Sequence, residues 1–226
     1  MKSLAIITAR GGSKRIPKKN IREFCGKPII AYSIEAAIKS GLFDEVMVST
    51  DSEEIAEVAR QNGAVVPFMR STETSDDYAT TADVLNEVLS EYKKQGKQFE
   101  WMCCIYPTAP FVTAEKLKKA WAYLWEKHGD ALVTVVAFSF PPQRCVVIRD
   151  GKLEYKWPEN VRKRSQDLET YYHDAGQFYF WKVKGFAEGI GVNVVPFILP
   201  EQEVQDIDNL SDWEIAEIKY RLMIQK

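Results

Sequence analysis

ARGGSKRIPKKN, Ala9 to Asn20, begins directly after the apolar residues Leu4, Ala5, Ile6 and Ile7. A short apolar run feeding a pair of glycines predicts a buried strand that ends in a loop. The loop carries Arg10, Lys14, Arg15, Lys18, Lys19 and Arg22 before the first acid, Glu23. Gly11 and Gly12 have no Cβ, so backbone amides can approach an anion and positive φ costs little, and Ser13 adds a hydroxyl. Two unit charges about 4 Å apart gain about 1 kcal/mol in water and about 4 at an effective dielectric near 20. The cations therefore select polyphosphate only in a partly dry pocket, such as a strand's C-terminal end supplies. The run is neither GxxxxGK[ST] nor GxGxxG. A solvated basic loop is the alternative, and strand, glycine pair, hydroxyl and spaced cations together favour the phosphate reading.

Composition narrows the ligand. The chain has 226 residues and a net charge of -2, enough for one α/β domain with a small appended subdomain and too little basic charge to draw nucleic acid or an anionic membrane. The N-terminal apolar stretch is too short for a signal peptide or a membrane span, which points to the cytoplasm. Cys25, Cys103, Cys104 and Cys145 show no CxxC spacing and read as reduced thiols, and two histidines, His128 and His173, argue against a histidine-rich zinc site.

From residue 28 onward the pattern alternates. Helices are expected over 28–40, 52–62, from Thr81, and over 114–127, with strands over 45–49, 65–68, 101–106, 131–137, 172–180 and 192–199. The rhythm breaks at 138–157, where 145–148 and 153–155 flank Asp150 and Gly151 as a hairpin. Asp206 and Asp208 stand two apart, so in an extended segment their carboxylates face one way and can hold Mg²⁺ together with water and phosphate oxygens. Ordinary helix-entry acidity is the alternative. Ser211 and Glu214 read as a capping box for a last helix.

The basic run resembles the signature loop of the acylneuraminate cytidylyltransferase family, which joins CTP to nonulosonic acids, and the likeness extends over nearly the whole chain. It implies a three-layer α/β/α Rossmann-like sheet, mostly parallel, forming a single domain over 1–226 with an antiparallel dimerisation subdomain over 138–172. It implies CTP contacts from Thr8, Ala9, Arg10, Ser13, Lys14, Lys19 and Asn20, with Arg70, Ala79 and Thr81 near cytosine and ribose. Asp206 and Asp208 match the metal-binding aspartates, and Arg10, Lys19 and the two aspartates become the catalytic set. Tyr106, Arg144, Arg164, His173 and Gln177 fall on the sugar side, with Arg144 and Arg164 reaching a partner's site in a homodimer. Tyr106 replaces a glutamine and Ala175 an asparagine of the sialic acid enzymes, Arg15 replaces a glycine, and these changes resemble the pseudaminic acid branch. The implied reaction passes CMP from CTP to a nonulosonic acid, with Mg²⁺ as cofactor. The alternatives are the same chemistry on N-acetylneuraminic or legionaminic acid, and a CTP-sensing module without catalysis.

Overall fold

The computed structural model describes residues 2–188 and 193–225. Strand β1 (Ser3–Thr8) leads into the basic loop, which closes through a 3-10 turn at Lys19–Ile21 and a two-residue ribbon of β2 (Glu23–Phe24) and β3 (Lys27–Pro28). Helix α1 (Ile29–Ser40) follows, with Pro28 at its N-cap, one position ahead of the first turn where the sequence suggested it. Gly41 ends it at φ 63, a left-handed C-cap that glycine takes without a Cβ penalty. Then come β4 (Glu45–Ser49), α2 (Glu53–Gln61) capped by Ser52, α3 (Thr81–Lys94), β5 (Trp101–Ile105), α4 (Ala114–Glu126) and β6 (Ala131–Ala137). The hairpin of β7 (Val146–Arg149) and β8 (Lys152–Tyr155) turns on Asp150 at φ 50 and Gly151 at φ 72. After it run β9 (Tyr172–Lys182), α5 (Val183–Glu188), β10 (Val194–Ile198) and α6 (Leu210–Ile224). The expected start of the last strand at residue 192 lies outside the described residues.

The main sheet has the order β10-β6-β9-β5-β1-β4. Every strand is parallel except β9, which runs antiparallel between β5 and β6. The sequence placed the antiparallel element only in the hairpin, because strand direction leaves no trace in a local apolar pattern. Residues 65–68 form no strand: Val65 makes one isolated bridge to Met47, and Pro67, which has no N–H to donate, stops the ladder.

Two apolar layers cover the sheet, one per face. Ala5, Ile7, Cys103, Ile105 and Phe180 pack against Ile30 and Ile34 of α1 and Leu117, Ala120 and Leu124 of α4. Leu4, Ile6, Met102 and Cys104 pack against Leu85, Val88 and Tyr92 of α3. Adjacent Cys103 and Cys104 thus serve opposite faces, as strand alternation requires. Burial pushes the Cys104 thiol up to about 12, so it is a packing group and not a nucleophile.

A third cluster decides where the two ends of the chain meet. Ile16 of the basic loop and Ile207, the residue between the two aspartates, are both buried, with Phe24, Ile29, Tyr32, Phe111, Trp213 and Ala216. Residues 206 to 208 run exposed, buried, half-buried, so burying Ile207 turns both flanking carboxylates outward. The capping box of α6 is formed by Asn209 and Asp212, not by Ser211 and Glu214. Asp212 N–H donates to Asn209 Oδ1 at 3.0 Å, and Asn209 N–H donates to Asp212 Oδ2 at 3.0 Å. Both pairs satisfy the pattern, and the earlier one wins because Asp212 also accepts from Asp208 N–H at 3.0 Å.

Candidate active site

The C-terminal edge of the parallel strands gathers the loops after β1, β5, β6 and β10 and the segment between α2 and α3, together with the start of β9, which its reversed direction brings to the same edge. Two cavities open there, of about 550 and 500 Å³, with Tyr106 lining both. The larger is lined from β1 and the basic loop by Thr8, Arg10, Ser13, Lys14, Arg15, Lys19 and Asn20. Arg70, Asp76, Asp77, Ala79 and Thr81 line the opposite wall, and Asp208 stands at the far end. All the residues expected around a nucleotide are here except Ala9, which is buried in the core with its N–H on the Ser49 carbonyl at 2.9 Å.

The loop does not work through glycine torsions. Among the described residues neither Gly11 nor Gly12 has positive φ, and a Cβ on Gly12 would meet nothing within 4 Å. Gly11 is in tight quarters, since a Cβ there would sit 3.0 Å from Ser52 Cβ, and its N–H donates to Asp51 Oδ1 at 2.7 Å.

Each cation is held by a specific partner. Arg10 donates to the Asp76 carbonyl and to Asp77 Oδ1, both at 2.9 Å, and Lys14 donates to Asp77 Oδ2. These two cations hold the Asp77 carboxyl below the usual carboxylate range, Lys14 most of all. Arg15 meets Asp208 Oδ1 at 2.8 Å, and Lys19 lies 3.8 Å from the same oxygen while donating to the Ile207 carbonyl at 2.7 Å. Burial lowers the Lys19 pKa, a shift opposed by Asp208 and Asp206. Arg70 is buried on Ser49, with Nε on Oγ at 3.0 Å and Nη2 on the carbonyl at 2.6 Å. Asn20 is locked by its bond to the Arg10 carbonyl at 2.9 Å.

Asp206 and Asp208 divide between the cavities, Asp208 lining the larger and Asp206 the smaller. Mg²⁺ commonly takes one or two carboxylates, with substrate phosphates and water completing its octahedron. The aspartate pair fits that donor set. Among the described residues no group of three or more His, Cys, Asp or Glu is placed to hold a metal ion.

The smaller cavity is lined by Tyr106, His173, Asp174, Tyr179, Asp206 and Lys219, among others. His173 lies in β9 and lines this cavity, its ring 4.7 Å from that of Phe138. Gln177 lies behind the wall, buried, with Nε2 donating to the Glu203 carbonyl at 2.5 Å. Arg144 and Arg164 line neither cavity of their own chain. Arg144 donates to the carbonyls of Val161 and Lys163, and Arg164 makes a two-pronged pair with Asp167 at 2.8 and 2.9 Å. Asp77, Asp174, Tyr179 and Lys219 also line or face these cavities and were not singled out from the sequence: Asp174 and Tyr179 lie in the 172–180 run beside His173 and Gln177, but the bond that joins them, like the pairing of Asp77 with Arg10 and Lys14, is a contact that spacing does not reveal.

A mostly parallel sheet with a basic loop after its first strand, and carboxylates converging on that loop from the chain's other end, defines a nucleotidyltransferase-type fold and site. The fold is shared with a solved CMP:2-keto-3-deoxy-manno-octonic acid synthetase in complex with CTP, at TM-score 0.70 and 17% identity over 100% of this chain and 99% of that one. It is also shared with 4-diphosphocytidyl-2C-methyl-D-erythritol synthase from Anaerococcus prevotii, at TM-score 0.65 and 15% identity over 100% and 99%. Residues 4–177 match the Cytidylyltransferase family, and the chain belongs to it. It is 42% identical to pseudaminic acid cytidylyltransferase of Campylobacter jejuni over 98% of this chain and 97% of that protein. It is 34% identical to CMP-N,N'-diacetyllegionaminic acid synthase of Legionella pneumophila, over 96% and 95% respectively.

An anion entering between Arg10 and Lys14 must displace Asp77. Asp77→Asn should therefore tighten pyrophosphate binding about twofold to fivefold in isothermal titration calorimetry at low salt. Unchanged or weaker binding would show that Asp77 does not compete for that position.

Proposed function

We propose that the chain transfers CMP from CTP to the anomeric hydroxyl of a nonulosonic acid, pseudaminic acid in particular, and releases pyrophosphate. The observation that carries this reading is the pair of adjoining cavities sharing Tyr106, one cationic and sized for a nucleotide, the other rich in hydroxyl and carboxylate groups. The 42% identity over nearly both full lengths favours pseudaminic acid, and so do Tyr106 and Ala175 at the positions where the sialic acid enzymes carry glutamine and asparagine.

In this proposal Arg10, Ser13, Lys14 and Lys19 hold the triphosphate, while Thr8, Asn20, Arg70, Ala79 and Thr81 hold the nucleoside. Tyr106, His173 and Gln177 shape the sugar side, Gln177 from behind the wall. The anomeric oxygen attacks the α-phosphorus with inversion, forming the new O–P bond. The bond to the β-phosphate breaks, pyrophosphate leaves, and the hydroxyl proton passes to solvent. Arg10 and Lys19 offset charge that grows on the leaving pyrophosphate, a fixed electrostatic contribution that needs no reorganisation. Asp206 and Asp208 would hold Mg²⁺, which when bound neutralises phosphate charge and polarises oxygens. A site that consumes CTP suits the cytoplasm, and no helix among the described residues is long and apolar enough to cross a membrane.

We also propose that 138–172 is a dimerisation element inserted in a single domain. Its support is apolar side chains left in water, with Phe140 85%, Ile148 76% and Leu153 64% exposed. In that arrangement Arg144 and Arg164 approach the partner's second cavity, and Arg164 must first release Asp167 to bind a carboxylate.

Two measurements test these readings. Pyrophosphate release from CTP across pseudaminic, legionaminic and N-acetylneuraminic acids should be fastest with pseudaminic acid. A preference for another acid would reassign the sugar, and no release with any of them would refute catalysis in favour of CTP sensing. In sedimentation velocity the wild type should be a dimer and Ile148→Glu with Leu153→Glu a monomer, and an unchanged dimer would place the interface elsewhere.

A further inference from the structure

The wall of the second cavity beyond Tyr106 is built by a bulge in β9. As β6 advances from Val133 to Val135, its partner changes from Tyr179 to Asp174, so residues 175–178 leave the ladder with β6, while Phe178 stays paired with Ile105 of β5. Gly176 makes the bend possible, at φ +62. Two donors then converge on a single carboxylate oxygen: Tyr179 hydroxyl donates to Asp174 Oδ1 at 2.5 Å and Gly176 N–H donates to it at 2.7 Å.

Tyr179 is itself fixed. It is 5% exposed, stacked on Trp181 at 5.4 Å between ring centroids, and tilted against Tyr106 at 5.4 Å. Asp174 is exposed and lines the cavity, and its Oδ2 has no hydrogen-bond partner among the described residues. The result is a carboxylate with one oxygen anchored twice and the other available, a pre-organised acceptor. The surroundings favour donors on the ligand too. Asp206 and Glu201 also line this cavity, and Lys219 spends its ammonium on the Val204 and Glu201 carbonyls at 2.7 and 3.4 Å.

We propose that Asp174 is a specificity-determining residue for the acceptor sugar, taking through Oδ2 a hydrogen bond from a ring hydroxyl or acylamino N–H. The inference rests on the reading of the second cavity as the sugar site. A sugar seated over Asp174 displaces water from Oδ2, so an analogue that lacks the matching donor leaves that oxygen covered and unpaired and binds more weakly. Tyr179 acts here as a positioning residue.

Asp174→Asn is the sharp test. Its amide oxygen can keep both bonds now made by Oδ1, while an NH₂ donor takes the place of Oδ2. Steady-state pyrophosphate release should show KM for the sugar raised about tenfold or more, as expected for a lost hydrogen bond to a charged group, with KM for CTP within about twofold. The unfolding temperature should not move. Tyr179→Phe removes one anchor, keeps the charge, and should raise sugar KM by a smaller factor. Sugar KM unchanged in Asp174→Asn, or both KM values rising together, would overturn the inference while leaving the transferase reading intact. No turnover by the wild type with any acid sugar would overturn both.

Discussion

The site depends on burying Ile16 and Ile207 in one apolar cluster. Each lies within a charged run that belongs at the surface, one among lysines and arginines and the other between two aspartates. Fully burying an isoleucine side chain contributes about 1.5 to 3 kcal/mol. The ion pair that joins the same two segments, Arg15 with Asp208, is 67% and 40% exposed, and pairs of that kind contribute about 0 to 1 kcal/mol. The apolar contact therefore sets the approach of the two ends, and the charges are carried into opposition by it. That division suits function, since ions that do not hold the fold are free to exchange partners when a ligand arrives.

The same logic describes the charges of the site. Arg10 and Lys14 rest on Asp77, Arg15 on Asp208, and Lys18 on Glu54 at 2.6 Å. A cluster of bare cations would repel itself, and the nearby acids neutralise it at exposed positions where the pairs are weak and reversible. A polyphosphate carries more charge than any one carboxylate and can take these partners together. Lys19 is the exception, more buried than the others and tied to the backbone at Ile207, and so marks a fixed point of the pocket.

Much of this was legible in the sequence because it lies in local patterns. Period-two and helical spacing located the regular elements, and Asp150-Gly151 announced the hairpin turn. The basic loop and the paired aspartates were visible as runs, and all the expected nucleotide-side residues but Ala9 line one cavity. What escaped is set by long-range geometry. The reversal of β9 is invisible to any local pattern, yet it places His173 and Asp174 at the active edge. Ser211 and Asn209 both satisfy a capping pattern, and a local bond from Asp208 N–H to Asp212, which spacing alone does not reveal, selects the second. The interruption at Pro67 was itself legible, and it leaves only the single bridge at Val65. Asp77 looked like loop acidity because its partners, Arg10 and Lys14, lie more than sixty residues away in the chain.

Cations from the start of the chain and Asp208 from its end face one another across one cleft, and in the proposed reaction nucleotide phosphates and a divalent ion lie between them. CTP affinity of Asp208→Asn, measured by calorimetry against wild type with Mg²⁺ and again in a chelator, tests it directly. With Mg²⁺ the substitution should weaken binding, because a metal ligand is lost. In chelator it should tighten binding, because a charge repelling phosphate is gone and Arg15 is released. A change of the same sign in both conditions would contradict the account.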